Sequence, residues 1–186
     1  MPRAKKDPSK FVFQLKITLR GSKPPIWRRV LVTENTTFAE LHDIIQIAMG
    51  WTDSHLHAFE VDGEPIGIPD PEEGFEVLDS SKLKLRQFVG EKSKFSYLYD
   101  FGDSWDHIIV VEKVLPVEPG KQYPVCLTGK RACPPEDCGG IWGYGDLLEI
   151  LANPRHPEHK SMKTWVGGKF DPEHFDLNEV NQVLNS

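Results

Sequence analysis

The densest run of reactive side chains is Asp100-Phe101-Gly102-Asp103-Ser104-Trp105-Asp106-His107, which places three carboxylates and one imidazole within eight residues. Aspartate, serine and glycine at this density mark a turn, where side chains can converge. Carboxylates and imidazole are the donor set of divalent metals and of general acid–base chemistry. The same residues also have a structural use: Asp103 and Asp106 can accept turn amides while Trp105 anchors the loop to the core. The spacing lacks the alternate-position ligands of a calcium loop.

A second candidate is His55-Leu56-His57. On a strand, residues two apart share a face, so both imidazoles could meet one ion. His42, at the rim of an apolar helical stripe, is a third partner if the strands bring it close. His107 begins another strand, so a histidine-rich site with Asp100 or Asp103 becomes geometrically accessible. The alternative is histidines bonded to backbone carbonyls.

Cys126, Cys133 and Cys138 form a third group. Structural zinc usually takes a tight cysteine pair two to four residues apart and four ligands in all. Only Cys133 and Cys138 approach that spacing, and His156 or His159 would have to fold back to complete the set. The other reading is three small residues packed in a rigid loop. His55, His57, His107 and the three cysteines are therefore the candidate metal ligands, and a divalent metal is the cofactor they would imply. No phosphate-cradling loop, dinucleotide fingerprint, nucleophile elbow or H-E-x-x-H motif occurs. The run Gly139-Gly140-Ile141-Trp142-Gly143-Tyr144-Gly145 lacks a preceding strand and a lysine, and reads as a compact turn pinned by Trp142 and Tyr144.

The elements that must position these residues follow from the hydrophobic pattern. Phe11, Phe13, Leu15, Ile17 and Leu19 alternate on one side of a strand. Gly21 to Pro25 breaks it, and residues 26–32, with Arg28 and Arg29, form a second, antiparallel strand. Thr37 and Glu40 make a capping box, Phe38, Leu41, Ile44, Ile45, Ala48 and Met49 form one stripe, and Gly50 stops the helix. Residues 55–61 are a third strand. Residues 62–80 form a long excursion, and residues 81–89 hold a short helix or strand. Residues 95–99 and 105–115 make a later hairpin around the Asp100–Ser104 turn. Proline, glycine and cysteine make residues 116–145 an ordered loop, and residues 146–186 carry short helices at 146–152, 157–166 and 176–184. The expectation is an α+β fold: a mixed or antiparallel sheet with a β-grasp-like strand-strand-helix-strand start. Residues 1–10 are expected as a flexible arm and residues 11–186 as one domain.

Composition narrows the function. Apolar residues make up 39% and charged residues 27%, as in a globular chain. A net charge of -6, with dispersed basic residues apart from Arg3, Lys5 and Lys6, disfavours broad nucleic-acid binding. There is no membrane-length apolar run and no signal-peptide pattern. Three cysteines, an odd number, suit a reducing cytoplasm.

The chain resembles the plasmid pRiA4b ORF-3-like family. The resemblance rests on Gln14 to Leu19, Pro24 to Val30, Leu41-His42, Met49-Gly50-Trp51, Ser54 to His57, Tyr99 to His107, Cys133 to Gly140 and Phe170-Asp171-Pro172, running in order from Phe11 to Asn181. It implies an α+β domain of unknown activity. Some members carry a resolvase label linked to mobile elements, and some a fused DNA-binding domain. Neither is legible in this chain: Ser9 and Ser22 lie in the arm and a proline turn, and the C-terminal part has no basic helix-turn-helix. Three readings follow. The first is a non-catalytic binding or accessory domain for a protein partner or small ligand. The second is a metal-dependent hydrolase or nuclease using His55, His57, Asp103 and His107. The third is a nucleic-acid-associated protein using Arg28, Arg29 and the N-terminal arm.

Overall fold

The computed structural model describes residues 8–74 and 76–186, so the basic cluster Arg3, Lys5 and Lys6 lies outside the described residues. Eight strands form one sheet: β1 (Phe11–Leu19), β2 (Trp27–Thr33), β3 (His57–Val61), β4 (Glu64–Gly67), β5 (Leu78–Asp79), β6 (Lys94–Tyr99), β7 (Trp105–Pro116) and β8 (Val125–Lys130). Their spatial order is β5-β4-β3-β6-β7-β1-β2-β8. Every pair is antiparallel except β4 with β5, so the sheet is mixed and the fold α+β. Among the described residues the α-helices are α1 (Phe38–Met49), α2 (Gly140–Ala152), α3 (His159–Trp165) and α4 (Leu177–Leu184). Among the described residues no helix is long and apolar enough to cross a membrane.

The β1 alternation buries Phe13, Leu15, Ile17 and Leu19, as period-two patterning requires. Phe11, at the strand's first position, is 44% exposed and does not join them. Helix α1 begins with both halves of its capping box: Thr37 Oγ1 accepts from Glu40 N–H at 3.1 Å, and Glu40 Oε2 accepts from Thr37 N–H at 2.9 Å. It ends at Gly50, whose φ of 104° only glycine adopts without strain. The apolar stripe packs on the sheet, where the Phe38 ring meets Phe59 and Phe95 edge-on at 5.3 and 6.1 Å. One contiguous cluster joins this stripe to β1, β2, β3, β6, β7 and the first turns of α2.

Three expectations need correction. The strand-strand-helix-strand order is present, but β6 and β7 separate β3 from β1, and the β-grasp detail does not carry over. Residues 116–145 are not all loop, because β8 pairs along the outer edge of β2 and α2 already starts at Gly140. An uncovered edge strand leaves its amides and carbonyls without partners, and that demand recruits Val125–Lys130 despite the flanking prolines. The helix expected at 146–152 is the second half of α2; its first half escapes sequence reading because Gly140, Gly143 and Gly145 lower its intrinsic propensity. Finally, His55 precedes β3 and sits in a bend, so it does not share a strand face with His57.

Candidate functional site

Helix α1 lays His42 and Gln46 against the β6 residue Tyr97, and all three are buried. Gln46 Nε2 donates to Tyr97 Oη at 3.0 Å, and Tyr97 Oη lies 2.8 Å from His42 Nδ1. Because the Asp53 carboxylate can only accept, His42 Nε2 carries a proton, and in the neutral ring Nδ1 then accepts from the Tyr97 hydroxyl. His42 Nε2 then donates to Asp53 Oδ1 at 2.8 Å. Gln46 Oε1 holds the backbone of Asp53 by accepting its N–H at 2.8 Å. Burial pushes the Tyr97 phenol well above its usual range, so it serves as a neutral link in this relay.

The β3 residue His57 stacks on His42, ring centroids 3.5 Å apart and planes within 8°. Burial first, then the neighbouring His42, pushes His57 down to about 4, so the stacked pair holds His57 neutral near pH 7. His57 Nε2 is buried and makes no hydrogen bond. His107 lies beyond the Tyr97 ring at 5.3 Å and takes no part in the stack. Its Nδ1 donates to the Tyr97 carbonyl at 3.1 Å, and its ring stands edge-on to Trp51 at 5.3 Å.

Burial pushes His107 from 6.5 down to about 4, which predicts a pH effect on stability. Between those values the unfolded chain binds a proton that the folded chain refuses. Stability therefore falls as pH drops through 6.5, and the loss is complete below about 4. At 1.36 kcal/mol per unit the full loss is about 3 kcal/mol for this ring. Urea melts from pH 7 to 4.5 should show a shallower acid loss for His107→Phe than for the parent, and equal slopes would refute the assignment.

His55 instead meets a different pair. Its Nε2 lies 2.8 Å from Asp137 Oδ1 and 3.5 Å from Asp100 Oδ2. The loop carrying Asp137 is clasped to this side by Glu136, which accepts from Tyr99 Oη at 2.6 Å and from Thr52 Oγ1 at 2.8 Å. Burial acts to raise the Glu136 carboxyl, but the hydrogen bonds from Tyr99 and Thr52 outweigh it and hold it below its usual range. Trp51 Nε1 donates to the Pro134 carbonyl at 3.0 Å and completes the clasp.

The other candidates separate from these clusters. Asp103 Oδ2 accepts from Gly139 N–H at 3.1 Å, a loop tie, and Asp106 pairs with Arg20 at 3.1 Å. Trp105 is fully buried, an anchor between the turn and Trp51. Burial pushes the Cys133 and Cys138 thiols up to about 12 and raises Cys126, so all three are protonated at neutral pH. Among the described residues no cysteine joins a group of three potential ligands. Arg28 is 2% exposed and bonds only backbone carbonyls, and Arg29 is paired with Glu112 at 2.7 Å. Both guanidinium groups are thus already committed to internal partners through two of their three nitrogens.

His42 and His57 line a cleft of about 740 Å3 between α1, the segment 53–57 and the β4–β5 edge. Asp43, Asp53 and Asp79 also line it, and no lysine or arginine does among the described residues. Asp79 is already engaged by Ser81 and Lys82. Asp43 is not: partial burial pushes its carboxyl up, His42 opposes this, and Asp53 and Glu40 add to the rise. Next to the cleft a hollow of about 300 Å3 shares Leu56, His57 and Ile68 and adds Phe101 and three prolines. Sequence reading did not single out Asp43, Asp53, Tyr97 or Asp137. Only the alternation of Tyr97 and Tyr99 along β6 signalled an inward-facing phenol.

An α+β sheet protein with a histidine- and aspartate-lined cleft under its first helix is the class these features define. The chain belongs to the plasmid pRiA4b ORF-3-like family: the profile described as "Plasmid pRiA4b ORF-3-like protein" matches residues 11–179. It is 39% identical to an uncharacterized protein, y4hQ, of Sinorhizobium fredii strain NGR234 over 178 residues, 94% of this chain and 91% of that one. Its fold matches the crystal structure of a protein of unknown function, MM3350, from Methanosarcina mazei Go1. The TM-score is 0.87 at 41% identity, over 94% of this chain and 98% of the other.

Proposed function

We propose that the protein is a non-catalytic binding domain whose cleft captures a small organic cation with an apolar body. The observation that carries this reading is a pair of carboxylates, Asp43 and Asp53, flanking the buried His42 with donor atoms within 4.8 Å of one another and, among the described residues, no lysine or arginine along the cleft. Anionic groups crowded without a cation favour an incoming positive charge, and low-dielectric walls sharpen that preference. The adjoining hollow, with Leu56 at 59%, Ile68 at 65% and Phe101 at 51% exposure, offers apolar surface to the rest of the ligand. A primary amine or guanidinium on an aliphatic chain fits both halves.

A catalytic role has less support. The hydroxyl in the His42–Asp53 relay belongs to Tyr97, which is fully buried and far too weak an acid to serve as nucleophile. The thiols are protonated, and a phosphate-binding role loses Arg28 and Arg29 to internal bonds.

Calorimetric titration with alkylamines and alkylguanidines, against matched alcohols and carboxylates, tests the reading. The expected result is binding of the cations alone, weakened about tenfold or more in Asp43→Asn combined with Asp53→Asn, since each half-exposed ion pair is worth about 1 kcal/mol. Equal binding of an alcohol and its amine counterpart, or a double variant that binds like the parent, would overturn it.

A further inference from the structure

We infer that His55, Asp100 and Asp137 form a binding site for one divalent first-row transition ion, at the edge of the organic-cation cleft whose wall also includes His55, and argued independently of that proposal. The three residues come from the bend before β3, the β6–β7 turn and the loop before α2, and their donor atoms lie within 4.8 Å of one another. Tertiary structure alone brings them together.

Two details point to an ion and not to an ordinary ion pair. First, His55 Nε2 is buried and makes no hydrogen bond, although Asp137 Oδ1 lies only 2.8 Å away. The ring N–H direction misses that oxygen. Whether it carries a proton or a lone pair, Nε2 therefore points away from Asp137 Oδ1 and is left, buried, without a partner for that direction. Second, the Asp100 side chain is nine-tenths buried, at 9% exposure, with its two oxygens committed differently. Oδ1 accepts from the amides of Gly102 and Asp103 at 3.0 and 3.3 Å. That fixes the carboxylate and leaves Oδ2 facing His55 at 3.5 Å without a donor. A half-committed, rigidly held carboxylate is how a metal ligand is oriented by its surroundings.

The distances suit coordination. Two donors each about 2.1 Å from an ion lie about 3.0 Å apart at right angles and about 3.4 Å apart at the tetrahedral angle. The observed separations, 2.8 and 3.5 Å, bracket that range. One neutral imidazole and two carboxylates match Mn²⁺, Fe²⁺ or Zn²⁺, whereas magnesium and calcium prefer oxygen alone. Asp137 is 66% exposed, which leaves an approach for the ion and for water to complete the shell.

The test is calorimetric titration of the chelator-treated full chain with Mn²⁺, Zn²⁺ and Mg²⁺, repeated on His55→Gln and Asp137→Asn. Asp137 is exposed, so its asparagine variant should melt with the parent and report on binding alone. The expected result is one Mn²⁺ or Zn²⁺ per chain, weak or absent Mg²⁺ binding, and affinity lost at least tenfold in each variant but retained in Asp53→Asn. Zn²⁺ should also shift the His55 Nε2 resonance in ¹⁵N spectra of the parent. Absence of stoichiometric binding, parent-like affinity in His55→Gln or Asp137→Asn, or loss in Asp53→Asn would overturn the site. The last outcome would place the ion in the cleft and leave the amine titrations to decide the other reading.

Discussion

Arg28→Ala should cost about 3–5 kcal/mol and lower the melting temperature by about 10 °C. Arg28 is a buried cation held by backbone carbonyls. Its Nε donates to Ala48 O at 2.6 Å, and its Nη1 donates to Trp27 O at 2.9 Å and Lys130 O at 3.1 Å. Burial pulls its pKa down, but guanidinium stays charged at any workable pH. The Ala48 carbonyl belongs to the last turn of α1, where the helix leaves its carbonyls unpaired and its dipole presents partial negative charge. The Arg28 guanidinium also lies over the Phe175 ring at 4.5 Å. One side chain thus joins the end of α1, the β2–β8 pair and the segment leading into α4. Truncation removes the bonds to three carbonyls and opens a cavity, both of which destabilise. Arg28→Lys, with a point charge in place of a planar fork, should fall between. Urea and thermal melts decide the matter, and an alanine variant within 1 kcal/mol of the parent would sink this account.

Gly140→Ala should destabilise by about 2–4 kcal/mol, whereas Gly145→Ala, five residues on in the same helix, should be neutral or slightly stabilising. Gly140 has φ 71° and presses against the backbone carbonyl of Asp103, so a methyl group would collide with a group that cannot rotate away. Gly145 has nothing within 4 Å of the same added atom, and alanine is the better helix former. The contact at Gly140 is also where the start of α2 rests on the β6–β7 turn, beside the Gly139–Asp103 hydrogen bond. Pushing the two apart should loosen the loop that carries Glu136 and Asp137. Amide exchange should therefore rise in Cys133 to Gly139 for Gly140→Ala and stay unchanged for Gly145→Ala. Equal melting temperatures for the two variants would refute the close-approach argument.

Much of the fold was legible in the residue order. Period-two alternation marked β1, β3 and β6, the apolar run Ile108 to Val111 marked β7, and the capping box with Gly50 set both ends of α1, because each is a local requirement met within a few residues. The candidate histidines were visible as types but not as neighbours. The H-x-H spacing suggested one ion for His55 and His57. A bend at His55 instead sends the first to Asp100 and Asp137 and lets the second stack on His42. Strand β8 and the first half of α2 were hidden because their own propensities are weak, and the exposed edge of β2 and the backbone of Asp103 supply what they lack.

The amino-acid order by itself therefore determined which segments pair or coil and which face each turns inward, since local sterics and hydrophobic period act over a few residues. Only the tertiary structure decided that Asp53 closes the His42 relay, that Asp137 faces His55, and that Arg28 is spent on carbonyls. Those contacts join residues from 11 to 102 positions apart, and their energies depend on burial and direction, which exist only once the sheet, α1 and the loop before α2 have closed on one another.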